Sequence, residues 1–133
     1  MESWRTYLLV GLGGGLGSAA RFWVSGVFAR WLGEAFPWGT IFINVTGSLL
    51  IGFLFSLAAA DGRLPWPETA HSFFLAGICG GYTTFSAFSL QTLRLMQDRQ
   101  WLWAGLNVFG SVLACLVAVW LGHTLGLLFS RAR

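Results

Sequence analysis

Four apolar stretches, each long enough to cross a bilayer, are separated by connections too short to hold a soluble domain, and this alternation limits the chain to one kind of architecture. The stretches cover residues 6–29, 38–60, 69–95 and 101–129, and a helix needs about 20 residues to span the hydrocarbon. Between them lie "RWLGEAF", "DGRLPWPE" and "MQDRQ". Of the 133 residues 56% are hydrophobic and only 10% are charged, against about 25% charged in soluble domains. Backbone polar groups have no water to bond in a bilayer, so such segments must be helical. The expectation is an all-α membrane protein, a single domain over residues 1–133 with four transmembrane helices. The first stretch is too long and too interrupted for a secretory signal and reads as a retained helix. Trp4, Trp31, Trp38, Trp66, Trp101 and Trp103 fall near segment ends, as an interfacial aromatic belt requires.

The net charge of +3 comes from arginine alone, since lysine is absent. Scattered singly among tryptophans, these arginines form no patch for nucleic acid and read as headgroup anchors. Positive-inside counting places Arg5, Arg63, Arg131 and Arg133 on one side of the membrane. Arg30, Arg94 and Arg99 lie on the other, joined by Arg21 if it snorkels that way. So near a tie is compatible with insertion in both orientations. Two copies of opposite orientation can pair about an axis in the membrane plane, an inverted repeat made from two chains.

Polar groups inside the spans are few and patterned. Gly11/Gly15 and Gly13/Gly17 are spaced four apart, which lets backbones approach closely. Arg21 lies deep enough in the first stretch that it must snorkel, pair or face a wet cavity; a vestibule guanidinium that attracts anions and a helix-end anchor are both open readings. Thr40, Asn44 and Ser48 fall on one stripe of the second helix, and the Asn44 amide brings two N–H donors that need partners. Asn107, Ser111 and Cys115 repeat the pattern on the fourth. Cys79 and Cys115 both lie within spans and read as small packing residues rather than a disulfide.

The third stretch contains "GGYTTFSAFS", residues 80–89. Two glycines followed by β-branched Thr83 and Thr84 predict a helix break at 80–83. A break exposes carbonyls on its first half and amides on its second, which favour a cation and an anion respectively. If an inverted partner brings its own break alongside, two sets of carbonyls can enclose a small hard cation such as sodium. Phe85 and Phe88, three apart, share a face; ring edges are electropositive and can flank an anion without holding it strongly. Thr84, Ser86 and Ser89 add hydroxyls nearby.

With "AARF" in the first helix, "WGTIFINVTGSLLIGF" in the second and "GGYTTFSAFS" in the third, the sequence resembles the fluoride channel family, often called Fluc or CrcB, over essentially its whole length. The resemblance implies small four-helix proteins of the bacterial inner membrane that assemble as antiparallel dual-topology homodimers with two fluoride pores. It implies that Phe85 and Phe88 are the paired pore phenylalanines and that Asn44 donates to the ion; Thr84, by its hydroxyl beside the rings, and Ser111, by its stripe with Asn107, are assigned to the same fluoride pathway. Arg21 matches the arginine of the first helix. A structural sodium ion, the expected cofactor, would be held by the backbone carbonyls of Gly80 and Thr83 from each subunit. Ala87 departs from the pattern, standing where many relatives carry a hydroxyl residue.

The expected function is a passive, fluoride-selective leak that empties the cytoplasm of fluoride. A proton-coupled small multidrug transporter would need a carboxylate in the membrane, whereas Glu2, Glu34, Asp61, Glu68 and Asp98 all lie at ends or in loops. A non-transporting membrane assembly subunit is the third reading. No enzyme is expected, since His71 and His123 have no neighbouring carboxylate or cysteine cluster.

Overall fold

The computed structural model describes residues 3–59 and 66–132. Helix α1, Trp4–Leu32, and helix α2, Trp38–Ala59, come first. The third segment opens with one α turn, α3 at Glu68–His71, widens into a π-helical stretch at Ser72–Cys79 and returns to α winding in α4, Gly80–Tyr82. It resumes as α5, Phe85–Gln97, and the chain ends in α6, Trp101–Arg131. The all-helical expectation holds. Residues 60–65 of the second connection, with Arg63 of the arginine count and Asp61 of the five acids, lie outside the described residues, as do Glu2 and Arg133.

Three of the four helical segments are long and apolar enough to cross a membrane: residues 38–58, 68–97 and 101–131. Helix α1 is 29 residues long but carries five glycines between residues 11 and 17, with Arg5, Arg21 and Arg30 along its length, so composition alone does not place it with the other three.

Glycine determines how the helices meet. Gly13 and Gly17 are buried, and a methyl group added at Gly17 would strike the Ile78 carbonyl and come within 2.8 Å of the Tyr82 nitrogen. One added at Gly13 would lie 2.7 Å from the Phe73 carbonyl. The second pair of the expected motif behaves differently: Gly11 and Gly15 have nothing within 4 Å of an added methyl group and face away from the rest of the chain. On the other side of the bundle, Gly52 lies against Val119 and His123, while Gly122 and Gly126 meet the backbone of Leu49 and Phe53. Thus α2 packs on α6 and α1 packs on the third segment, each through backbone-to-backbone contact that any side chain would prevent.

The break lies later than the glycines suggested. Gly80 remains helical, with φ −64° and ψ −37°, and only Thr83 (φ −78°, ψ 158°) and Thr84 (φ −154°, ψ 115°) are extended. Gly81 is needed for contact, since a methyl group there would run into the backbone of Gly14, and a helix tolerates that role. The β-branched threonines, which suit extended backbone, form the interruption itself.

Candidate functional site

The break is held by side chains from two helices: Asn44 of α2 pins extended Thr84, and Ser18 and Arg21 of α1 bond Gly81 in the turn before it. The Thr84 N–H donates to Asn44 Oδ1 at 2.8 Å, and Asn44 Nδ2 donates to the Thr84 carbonyl at 3.1 Å. One amide side chain therefore meets both backbone groups of one residue, as a neighbouring strand would, and satisfies groups that cannot be left bare in a bilayer. Before the break, the Thr83 N–H and Oγ1 both donate to the Cys79 carbonyl, at 3.0 and 2.9 Å. After it, Thr84 Oγ1 accepts from the Ala87 N–H at 3.2 Å and caps α5. The Gly81 carbonyl accepts from Ser18 Oγ at 3.3 Å and Arg21 Nε at 3.2 Å.

The carbonyls of Gly80 and Thr83 are among those that lose their helical partners through this arrangement. In a continuous helix the Thr84 N–H would donate to Gly80 and the Ala87 N–H to Thr83; here they go to Asn44 and Thr84 side chains instead. Of the two residues named for a cation, Thr83 lines the groove described next and Gly80 is exposed away from it.

A groove of about 370 Å³ runs beside the break. Asn44, Ser48, Thr83, Thr84, Phe85, Phe88, Ser111 and Cys115 all line it, so five of the six expected fluoride-pathway residues share one surface, and two members of each stripe, Asn44 and Ser48 of α2 and Ser111 and Cys115 of α6, meet there. The sixth, Arg21, is placed elsewhere: it does not line this groove, and it reaches the break from outside through Gly81. Phe88 is 8% exposed and Phe85 76% exposed, with ring centroids 5.2 Å apart and planes tilted by 46°. Asn44 spends its oxygen and one N–H on Thr84, which leaves its second N–H uncommitted by these bonds. Ser86 and Ser89 bond within their own segment, to Thr84 Oγ1 and the Phe85 carbonyl, and do not line the groove.

A larger cavity of about 450 Å³ opens where the first and third connections meet, lined among others by Glu34, Thr40, Gln91, Arg94 and Asp98. Thr40 sits one turn before Asn44 and Gln91 one turn after Phe88, so the cavity and the groove follow one another along α2 and α5. Gln91 Oε1 is buried and without a hydrogen-bond partner. The sequence reading passed over Gln91 and Thr92, although two adjacent polar residues within "SLQTLRL" were a visible signal. Both cysteines are free, and no group of three or more metal-ligating side chains occurs among the described residues.

A family model described as CrcB-like protein, Camphor Resistance (CrcB), matches residues 8–123. The chain is 55% identical over 118 residues to a protein of Rhodospirillum rubrum named fluoride-specific ion channel FluC, covering 89% of this chain and 92% of that one. It is 53% identical over 126 residues to a protein of the same name from Paramagnetospirillum magneticum, covering 95% and 98%. A third, from Opitutus terrae, is 55% identical over 117 residues, covering 88% and 89%. The residues matched by the family model span the groove, the break and every glycine contact described above except that of Gly126. With three helices long and apolar enough to cross a membrane, the chain is a multi-pass membrane protein, and it belongs to the CrcB family.

Proposed function

We propose that this protein is a passive, fluoride-selective channel that lets fluoride leave the cytoplasm across the bacterial inner membrane, working as an antiparallel dual-topology homodimer in which α1 also spans. The observation that carries the reading is the convergence of Asn44, Ser48, Thr84 and Ser111 with Phe85 and Phe88 on one narrow groove. It occurs in a chain more than half identical to proteins named fluoride-specific channels.

Fluoride is small and strongly hydrated, so a path through hydrocarbon must replace its water. The free N–H of Asn44 and the groove hydroxyls offer donors, while the electropositive edges of Phe85 and Phe88 attract the ion weakly enough to let it go. Conduction requires both, because an ion that binds too well does not leave. Arg21 acts at a distance in this scheme: its bond to the Gly81 carbonyl helps hold the break.

The freed carbonyls of Gly80 and Thr83 suit a structural sodium ion, being hard oxygen donors at the negative end of a half-helix. One chain supplies too few ligands, and a second, inverted copy would supply the rest. The exposure of Phe85 suits cover by that copy. Fluoride and chloride efflux from liposomes holding the purified protein tests the function. Fast fluoride release with no measurable chloride release is expected, and chloride passing as readily as fluoride would refute selectivity.

A further inference from the structure

Behind the groove wall runs a chain of hydrogen bonds that joins two of its lining residues through two that do not line it. Thr92 Oγ1 donates to the Phe88 carbonyl at 2.8 Å, Asn107 Nδ2 donates to Thr92 Oγ1 at 2.9 Å, and Ser111 Oγ donates to Asn107 Oδ1 at 3.2 Å. All three side chains are buried, Asn107 to 1% exposure. The directions are fixed by counting protons. Thr92 has one hydroxyl hydrogen and spends it on Phe88, so it must accept from Asn107, and the Asn107 oxygen is thereby turned to Ser111.

Ser111 is unusual among the hydroxyls of these helices. Thr46, Ser56, Ser89, Thr92 and Thr124 each donate to the carbonyl four residues earlier, at 2.7 to 3.1 Å. Ser111 donates to the side chain of the residue four earlier instead, and at the longer distance of 3.2 Å. A bond that long is weak, so an anion in the groove can draw the hydrogen away at small cost. Were the Asn107 oxygen absent, the hydroxyl would fall into the ordinary backbone bond and present only lone pairs to the groove.

We propose that Asn107 is a positioning residue for anion passage: it holds the Ser111 hydroxyl out of the backbone bond and keeps its hydrogen available to fluoride, while its other end ties Ser111 to Phe88 through Thr92. This rests on the channel reading above. The test is a double-mutant cycle in fluoride efflux from liposomes, with the unsubstituted protein, Asn107→Ala, Ser111→Ala and the double variant. Acting through Ser111, Asn107→Ala slows efflux about tenfold in the unsubstituted background, the size expected for losing one hydrogen bond to a charged partner. It slows efflux less than about twofold once Ser111 is already alanine. Equal slowing in both backgrounds, or no slowing in the first, would overturn the proposal. If Asn107→Ala does not survive reconstitution, Thr92→Val provides the same comparison from the other end of the chain, with the same outcomes deciding. Absence of fluoride efflux from the unsubstituted protein would remove the channel reading and this proposal together, a result distinct from equal slowing.

Discussion

Asn44 holds the break and, in the proposed channel, also serves the ion, and substitution can separate the two. Its oxygen and one N–H hold Thr84, and the proposal gives its other N–H to fluoride. Asn44→Ala strands a backbone donor and an acceptor in an apolar setting, at about 1–3 kcal/mol for each, and should lower the melting temperature of the purified protein by several degrees. Asn44→Asp keeps an acceptor for the Thr84 N–H but loses both donors and adds a negative charge. It should therefore melt above the alanine variant yet pass fluoride at least about tenfold more slowly than the unsubstituted protein, as read by liposome efflux. Phe85→Ile, at a position 76% exposed in the single chain, should leave the melting temperature nearly unchanged and still slow fluoride; unchanged efflux would clear the ring of any part in the path. At this scale much was legible. Phe85, Phe88, Thr84, Asn44 and Ser111 stand out as polar or paired groups at helical spacing, and they share a groove. Arg21 was legible as a charge deep in an apolar stretch, but its partner was not, because the Gly81 carbonyl is 60 residues away in sequence and no local pattern names a backbone acceptor.

Between helices, the close contacts are backbone on backbone, so adding a single carbon should be felt. Gly17→Ala would press a methyl group into the Ile78 carbonyl and the Tyr82 nitrogen, neither of which can swing aside, at about 1–3 kcal/mol. Gly26→Ala, with nothing within 4 Å of the added methyl, should leave thermal stability unchanged or slightly raised; comparing the two melting temperatures in detergent checks this, and equal effects would deny that α1 packs as described. The glycine spacing was legible as a packing motif, yet spacing could not say that Gly13 and Gly17 meet the third segment while Gly11 and Gly15 do not. The break was legible to within a few residues. It was read at 80–83, from the glycines and the threonines together, and it starts at Thr83 because tertiary contact with Gly14 keeps Gly81 helical despite its low helix propensity. The π-helical turn at Ser72–Cys79 had no sequence signal at all: "SFFLAGIC" reads as an ordinary apolar helix.

For the whole molecule, the proposed sodium ion and the paired copy are one question, because the carbonyls of Gly80 and Thr83 supply only part of a coordination shell. Replacing sodium throughout purification and assay by a large organic cation should reduce fluoride efflux and lower the dimer fraction seen by native mass measurement. Retention of both would separate the break from any bound cation. Charge counting left the orientation tied, since it weighs only arginines near helix ends, and nothing in one chain's sequence encodes the angle at which a second copy would meet it. The break has a mechanical corollary. Because a single amide on α2 grips both backbone groups of Thr84, and Thr84 is the residue from which α5 starts, α2 and the first turn of α5 are yoked. Any sliding of α2 along its axis would drag the phenylalanine pair with it, and because the far half of α2 is locked on α6 at Gly52, Gly122 and Gly126, the position of that pair is referred to the contact between α2 and α6.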